Sequence, residues 1–210
     1  MPDIAAWCGI SFGDKAYANP LNMAHHLYSD ESTEIINLVI PDGVSSIGDF
    51  TFRNCTSLNS VIIPNSVTSI GECAFDVCSS LTSVNISDGV TRINHSAFFG
   101  CGNLTSITIP EGVTSIGGNA FDCCGALSII NIPNSVTSIG DEAFKGTAWY
   151  NNQPDGLVYA GKVAYKYKGT MPSNTHITIE EGTLGIGAYA FYQCSGLTSV
   201  TIPEGVTNIT

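Results

Sequence analysis

The sequence is short of charge. Only 12% of its 210 residues are charged, about half the usual share for a soluble domain. Bases are the scarcest: 7 Lys and Arg stand against 18 Asp and Glu, a net charge of −11. That balance excludes nucleic-acid binding across the whole surface, because neutralising phosphates needs positive charge. Long apolar runs are missing too. Although 43% of residues are hydrophobic, no stretch approaches the roughly 18 consecutive apolar residues of a membrane-spanning helix, so no membrane insertion is expected. The opening Met1-Pro2-Asp3-Ile4 lacks a basic stretch, and Asp3 and Asp14 interrupt any apolar run, so it does not read as a secretory signal. Polarity therefore rests on Ser, Thr, Asn and Gly. The apolar residues recur at regular intervals, which excludes disorder.

The interval is 23 residues. Ile40-Pro41, Ile63-Pro64, Ile86-Ser87, Ile109-Pro110 and Ile132-Pro133 keep it without a break; Ile179-Glu180 follows after 47, and Ile202-Pro203 after another 23. Phe52, Phe75, Phe98, Phe121, Phe144 and Phe191 form a second column, five of them preceded by Ala. Ile47 to Ile209 and Leu58 to Leu197 form two more. One apolar type at a fixed period means stacked coils, each burying its neighbour's apolar face. Leu81-Thr-Ser-Val84-Asn-Ile86 alternates as a half-buried strand, and strands stacked this way pair in parallel. A second short strand is expected through Val67–Ile70, a short helical turn through Gly71–Cys78, and a corner where Pro64 and Pro110 end the strand.

The pattern Ile-Pro-x-x-Val-x-x-Ile-Gly-x-x-Ala-Phe-x-x-Cys-x-x-Leu-x-Ser-Val resembles the BspA-like, or Treponema-type, leucine-rich repeat. It covers residues 38–146 and 177–210 in seven recognisable units, with an eighth disguised. The resemblance implies a repeat solenoid: a right-handed coil with a parallel β-sheet on one face and short strands and helical turns elsewhere. Four parts are expected: an irregular N-terminal unit at 1–37, five regular repeats at 38–146, an irregular unit at 147–176, and one full plus one truncated repeat at 177–210.

Two segments break the period. Trp7-x-x-Ile10-x-Phe12 has the strand spacing of Leu81-x-x-Val84-x-Ile86, so a hidden repeat is expected there. It is followed by a helix with Asn19 as N-cap, Pro20 in its first turn, and Leu21, Ala24 and Leu27 on one face. Leu157 to Tyr167 reads as a hairpin turning at Ala160-Gly161. This second segment holds Tyr159, Tyr165 and Tyr167 with Lys162, Lys166 and Lys168, and Lys145 just before them, so four of the seven bases fall in 145–168. The hairpin is one candidate binding site. The competing reading is that the tyrosines turn inward and close the gap between coils. The chain stops at Ile209-Thr210 in mid-repeat. An apolar coil end of this kind invites self-association.

The remaining residues give no catalytic centre. Cys55, Cys78, Cys101, Cys124 and Cys194 share one column three residues after the Phe, which reads as a reduced, buried ladder rather than disulfides. No Cys-x-x-Cys pair supports zinc. His25-His26 diverge on a helix, and the phased acids Asp42, Asp88, Glu111, Glu181 and Glu204 read as solubilising turns, with calcium the minor alternative. Gly185-Ile-Gly187 is a repeat turn and not a phosphate loop. No nucleophile, base and orienter converge, so neither an enzyme nor a cofactor is expected. The outward strand positions Ser83, Asn85, Ser106 and Thr108 make a nearly uncharged face of hydroxyls and amides, the second candidate site. The resemblance implies a cell-surface or secreted bacterial protein that adheres to host matrix proteins or to other cells. A structural spacer is the alternative, and a glycan-binding array ranks below both.

Overall fold

The computed structural model describes residues 3–10, 12 and 18–210. Its strands alternate between two faces of the coil: β1 (Asn37–Val39), β2 (Ser46–Ile47), β3 (Ser60–Ile63), β4 (Ser69–Ile70), β5 (Ser83–Ile86), β6 (Arg92–Ile93), β7 (Ser106–Thr108), β8 (Ser115–Ile116), β9 (Ile129–Asn131) and β10 (Ser138–Ile139). The hairpin follows as β11 (Gly156–Ala160) and β12 (Val163–Lys168), then β13 (Thr175–Thr178), β14 (Gly185–Ile186), β15 (Leu197–Thr201) and β16 (Asn208–Ile209). Odd strands up to β9 form the first row and even strands up to β10 the second. Every pairing within a row is parallel, and Ser60↔Ser83 and Ile70↔Ile93 reproduce the sequence period. The second row is continuous from β2 to β10, and the first is bonded as β1–β3–β5, β7–β9 and β13–β15.

The core is the set of sequence columns. Phe52, Phe75, Phe98, Phe121 and Phe144 are fully buried. Their rings stack with centroids 5.3–5.8 Å apart and planes within 16°. Offset stacks of this kind add about 0.5–1.5 kcal/mol per pair beyond their buried area.

The third face corrects an expectation. Gly71–Cys78 and its equivalents are not helical. They are successive turns with two left-handed residues in each coil, two positions before and two after the column Phe: Cys73 and Val77 around Phe75, Asn119 and Cys123 around Phe121. This backbone aims alternate N–H groups at the next coil. Cys73, Phe75 and Val77 donate to the carbonyls of His95, Ala97 and Phe99. The inter-coil ladder here outweighs the helical hydrogen bonds that Ala and Phe would favour locally.

The N-terminal unit differs as well. Trp7 lies in a short helix, α1 (Ile4–Cys8), capped by the Asp3 side chain. The chain after it passes beside β2, where the Cys8 carbonyl accepts the Gly48 N–H. It thus extends the second row, and Ile10 is exposed. The second helix, α2 (Leu21–Ala24), is a single turn. The Asn19 side chain accepts the Leu21 N–H at 2.8 Å, but the N-cap is Pro20 and not Asn19, Ala24 is exposed and Leu27 lies beyond the helix. The Trp7 indole N–H donates to the Thr51 carbonyl at 2.9 Å. Together with the Asn19 amide, which donates to the same carbonyl at 3.2 Å, it stands in for the Phe N–H that a preceding coil donates to the equivalent Ala carbonyls.

The disguised unit is the hairpin. Strands β11 and β12 pair antiparallel with Ala160↔Val163 at the turn, and β12 pairs in parallel with β14 through Val163↔Gly185 and Ala164↔Ile186. Strand β12 thus opens a separate sheet with β14 and β16; it is not hydrogen-bonded to β10, whose Ile139 carbonyl instead accepts the Ala188 N–H. Among the described residues no helix is long and apolar enough to cross a membrane.

Candidate functional site

Period-two alternation positions the first-row face. Val84 and Ile107 point inward, while Ser83 and Asn85 of β5 and Ser106 and Thr108 of β7 are exposed. Parallel register aligns them with β9, where the Asn131 amide donates to the Thr108 hydroxyl at 3.2 Å. These four residues line a hollow of about 320 Å³ together with Asp88 and Pro110.

Beyond β9 the next regular coil is replaced by the irregular unit, and the step leaves a larger furrow of about 590 Å³. It adjoins the first hollow, sharing Asp88, Thr108 and Pro110 with it. Trp149, Tyr159 and Gly161 line it on the hairpin side, and Ile130, Asn131, Ile132 and Glu111 on the side of the coils. Trp149 belongs to α3 (Ala148–Asn151), whose first turn is capped by Thr147. Its ring packs edge-on against Phe144 at 5.2 Å, and its backbone N–H donates to the Leu127 carbonyl at 2.8 Å. The Tyr159 hydroxyl accepts the Glu180 N–H at 2.9 Å. Both aromatic walls are thus fixed while part of each ring stays open to solvent. Gly161 has φ +60, and a Cβ there would stand 3.0 Å from Ile132, so glycine suits both the turn and the close approach.

The structure divides the hairpin residues that the sequence grouped together. Tyr159 joins Ser83, Asn85, Ser106 and Thr108 along the furrow system. Tyr165 does not; it is 1% exposed. Its hydroxyl accepts the Phe144 N–H at 3.1 Å, and its ring meets Phe144 and Tyr150 edge-on. Burial pushes its phenol well above the ordinary value. The equivalent N–H groups of Phe75, Phe98 and Phe121 donate to alanine carbonyls of the following coil. The Tyr165 hydroxyl therefore replaces a carbonyl that the irregular unit does not provide.

Most of the positive island is spent internally. Lys166 bonds Asp141 at 2.9 Å and Lys145 bonds Glu142 at 2.8 Å. Lys168 reaches the Asn151 and Gln153 carbonyls and lies 5.7 Å from the Tyr150 ring centre. Tyr167 is half-buried and donates its N–H to Ala190. Lys162 stays exposed at the turn.

Sequence reasoning missed Trp149, Asp88 and Glu111 as neighbours of the polar face. Their phase was visible, but the step that brings aromatics and carboxylates together exists only in three dimensions. It also missed the pair of His176 Nδ1 and Ser199 Oγ, 2.7 Å apart on β13 and β15. Among the described residues no carboxylate is hydrogen-bonded to that ring, so nothing orients it as a base. No group of 3 or more His, Cys, Asp or Glu is placed to hold a metal among the described residues.

Comparison with known proteins follows the architecture. No curated protein is significantly similar to the chain in sequence. Among solved structures, the leucine-rich repeat protein of T. pallidum is 29% identical, with a TM-score of 0.57 over 83% of this chain and 73% of its own. The pneumococcal vaccine antigen PcpA is 16% identical, with a TM-score of 0.50 over 85% of this chain and 63% of its own. A leucine-rich cell surface protein of Faecalibacterium prausnitzii is 29% identical, with a TM-score of 0.44; this chain spans about half of it (52%). The profile described as the BspA type leucine-rich repeat region matches residues 24–149 and 163–210 in six copies. The chain belongs to the BspA-type leucine-rich repeat family.

Proposed function

We propose that the chain is a protein-recognition segment of a bacterial surface protein, acting outside the cell in adhesion to host matrix proteins or to other cells. The observation that carries this reading is the continuous first-row surface. Ser83, Asn85, Ser106 and Thr108 lead, without a charged residue among them, into the furrow lined by Trp149 and Tyr159. Exposed hydroxyls and amides beside fixed aromatics suit protein contact, and solenoids use such extended surfaces for binding. Family membership supports the surface location, and repeat solenoids of this kind are typically non-catalytic. The test is surface plasmon resonance against purified extracellular-matrix proteins, with a glycan array in parallel. Saturable binding to a protein supports the reading. Binding to glycans alone replaces it, and binding to neither leaves a spacer.

A further inference from the structure

Resting on that protein-recognition reading, we infer that the furrow between β9 and the hairpin receives an arginine side chain from an extended segment of the partner. Three features converge there. Trp149 and Tyr159 offer partly exposed ring surface, on which a planar guanidinium stacks with a favourable cation–π contribution. Asp88 and Glu111 lie on consecutive coils, both exposed and both lining the furrow. Neither forms an ion pair among the described residues, and no basic side chain lines the cavity. A neutral ligand would leave these two like charges uncompensated, whereas a guanidinium bonds to carboxylates in a fork geometry. Finally, the adjoining hollow extends the site along Ser83, Asn85, Ser106 and Thr108, where hydroxyls and an amide meet the polar main chain of an extended segment. A chain of net charge −11 also attracts basic partners at long range.

The experiment titrates the isotope-labelled full chain with acetyl-Gly-Arg-Gly-amide and follows the two tryptophan indole resonances by NMR. The Trp149 indole signal shifts on addition, and that of Trp7, buried at the other end of the array, stays in place. The citrulline peptide, equal in shape and uncharged, binds about fivefold more weakly or worse. So does the arginine peptide to a chain carrying Asp88→Asn and Glu111→Gln, two exposed changes that leave the unfolding midpoint unaltered. Equal affinity for the arginine and citrulline peptides, or no shift of Trp149 at millimolar peptide, overturns the inference. A shift caused by methyl glycosides and not by arginine overturns it in favour of a sugar. A matrix protein bound equally by the double variant and the native chain defeats the furrow inference and leaves the proposed function standing. Arginine-peptide binding without any protein partner does the reverse.

Discussion

The Tyr165 hydroxyl is one of the bonds that join the regular coils to the irregular unit. Tyr165→Phe keeps the ring contacts with Phe144 and Tyr150 but leaves the buried Phe144 N–H without its acceptor. Such a loss costs about 1–3 kcal/mol, measurable by denaturant unfolding. Tyr159→Phe, whose hydroxyl serves the backbone of exposed Glu180, costs less because water can take over. The thiols give a second prediction. Cys55, Cys78, Cys101 and Cys124 are buried, and the Sγ atoms of the last three donate to carbonyls of Phe52, Phe75 and Phe98. Burial pushes the Cys55 thiol up to about 12. These four should resist a thiol reagent at pH 8 until the chain unfolds, while exposed Cys123 labels first; early modification of Cys78 or Cys101 would contradict the ladder. The period located the Phe and Cys columns correctly as far as Phe144 and Cys124, whereas Phe191 and Cys194 in the later coil are only half-buried. It could not separate Tyr165 from Tyr159, because no local pattern reveals that a ladder N–H one coil away lacks a partner.

Among the elements, the turn row departs most from what the sequence conveys. Its left-handed positions hold residues such as Phe50, Cys73, Val77, Ser96 and Glu142 more often than Gly or Asn, so the residue types did not announce the backbone, whereas Ala-Phe between polar residues read as a helical turn. Val77 is β-branched at φ 58, where Gly100 and Gly146 stand in later coils. Val77→Gly should stabilise the fold by about 1 kcal/mol, and Val77→Ala, still left-handed with a Cβ, should not; calorimetry separates them. Phe98 lies between two stacked rings and is fully buried. Phe98→Ala should cost about 3–5 kcal/mol, and an unchanged midpoint would refute the stacked core. The segment before β1 holds a pH-dependent loop. The Asp30 carboxylate accepts the N–H groups of Ser32 and Thr33, which lowers its pKa from 3.8 to about 2. A depressed folded value means that this stabilisation is complete above pH 4 and disappears as pH falls towards 2. Amide shifts of Ser32 and Thr33 should titrate near pH 2, and Asp30→Asn should abolish that titration. The hairpin was legible because Gly161 and the flanking alternation are local signals. The N-terminal helix was not, because Trp7, Ile10 and Phe12 happen to share the strand spacing.

For the whole molecule, the array provides a long, repetitive and nearly uncharged surface, and the irregular unit gives it one distinctive place. Regular coils stack on near-identical neighbours, so their outer faces form a smooth row. Replacing a coil by α3 and the hairpin creates a step, and with it the furrow where Trp149 and Tyr159 meet Asp88 and Glu111. On the proposed function, recognition uses this first-row side and not the second row. The measurement that tests it most directly compares partner affinity for two chains with the same added charge, Thr108→Lys in the furrow system and Thr91→Lys beside β6, both positions being exposed. Calorimetric titration should show Thr108→Lys weakening the bound protein at least about tenfold, near 1.4 kcal/mol, with Thr91→Lys close to the native chain. Equal affinities, or a loss confined to Thr91→Lys, would contradict the account.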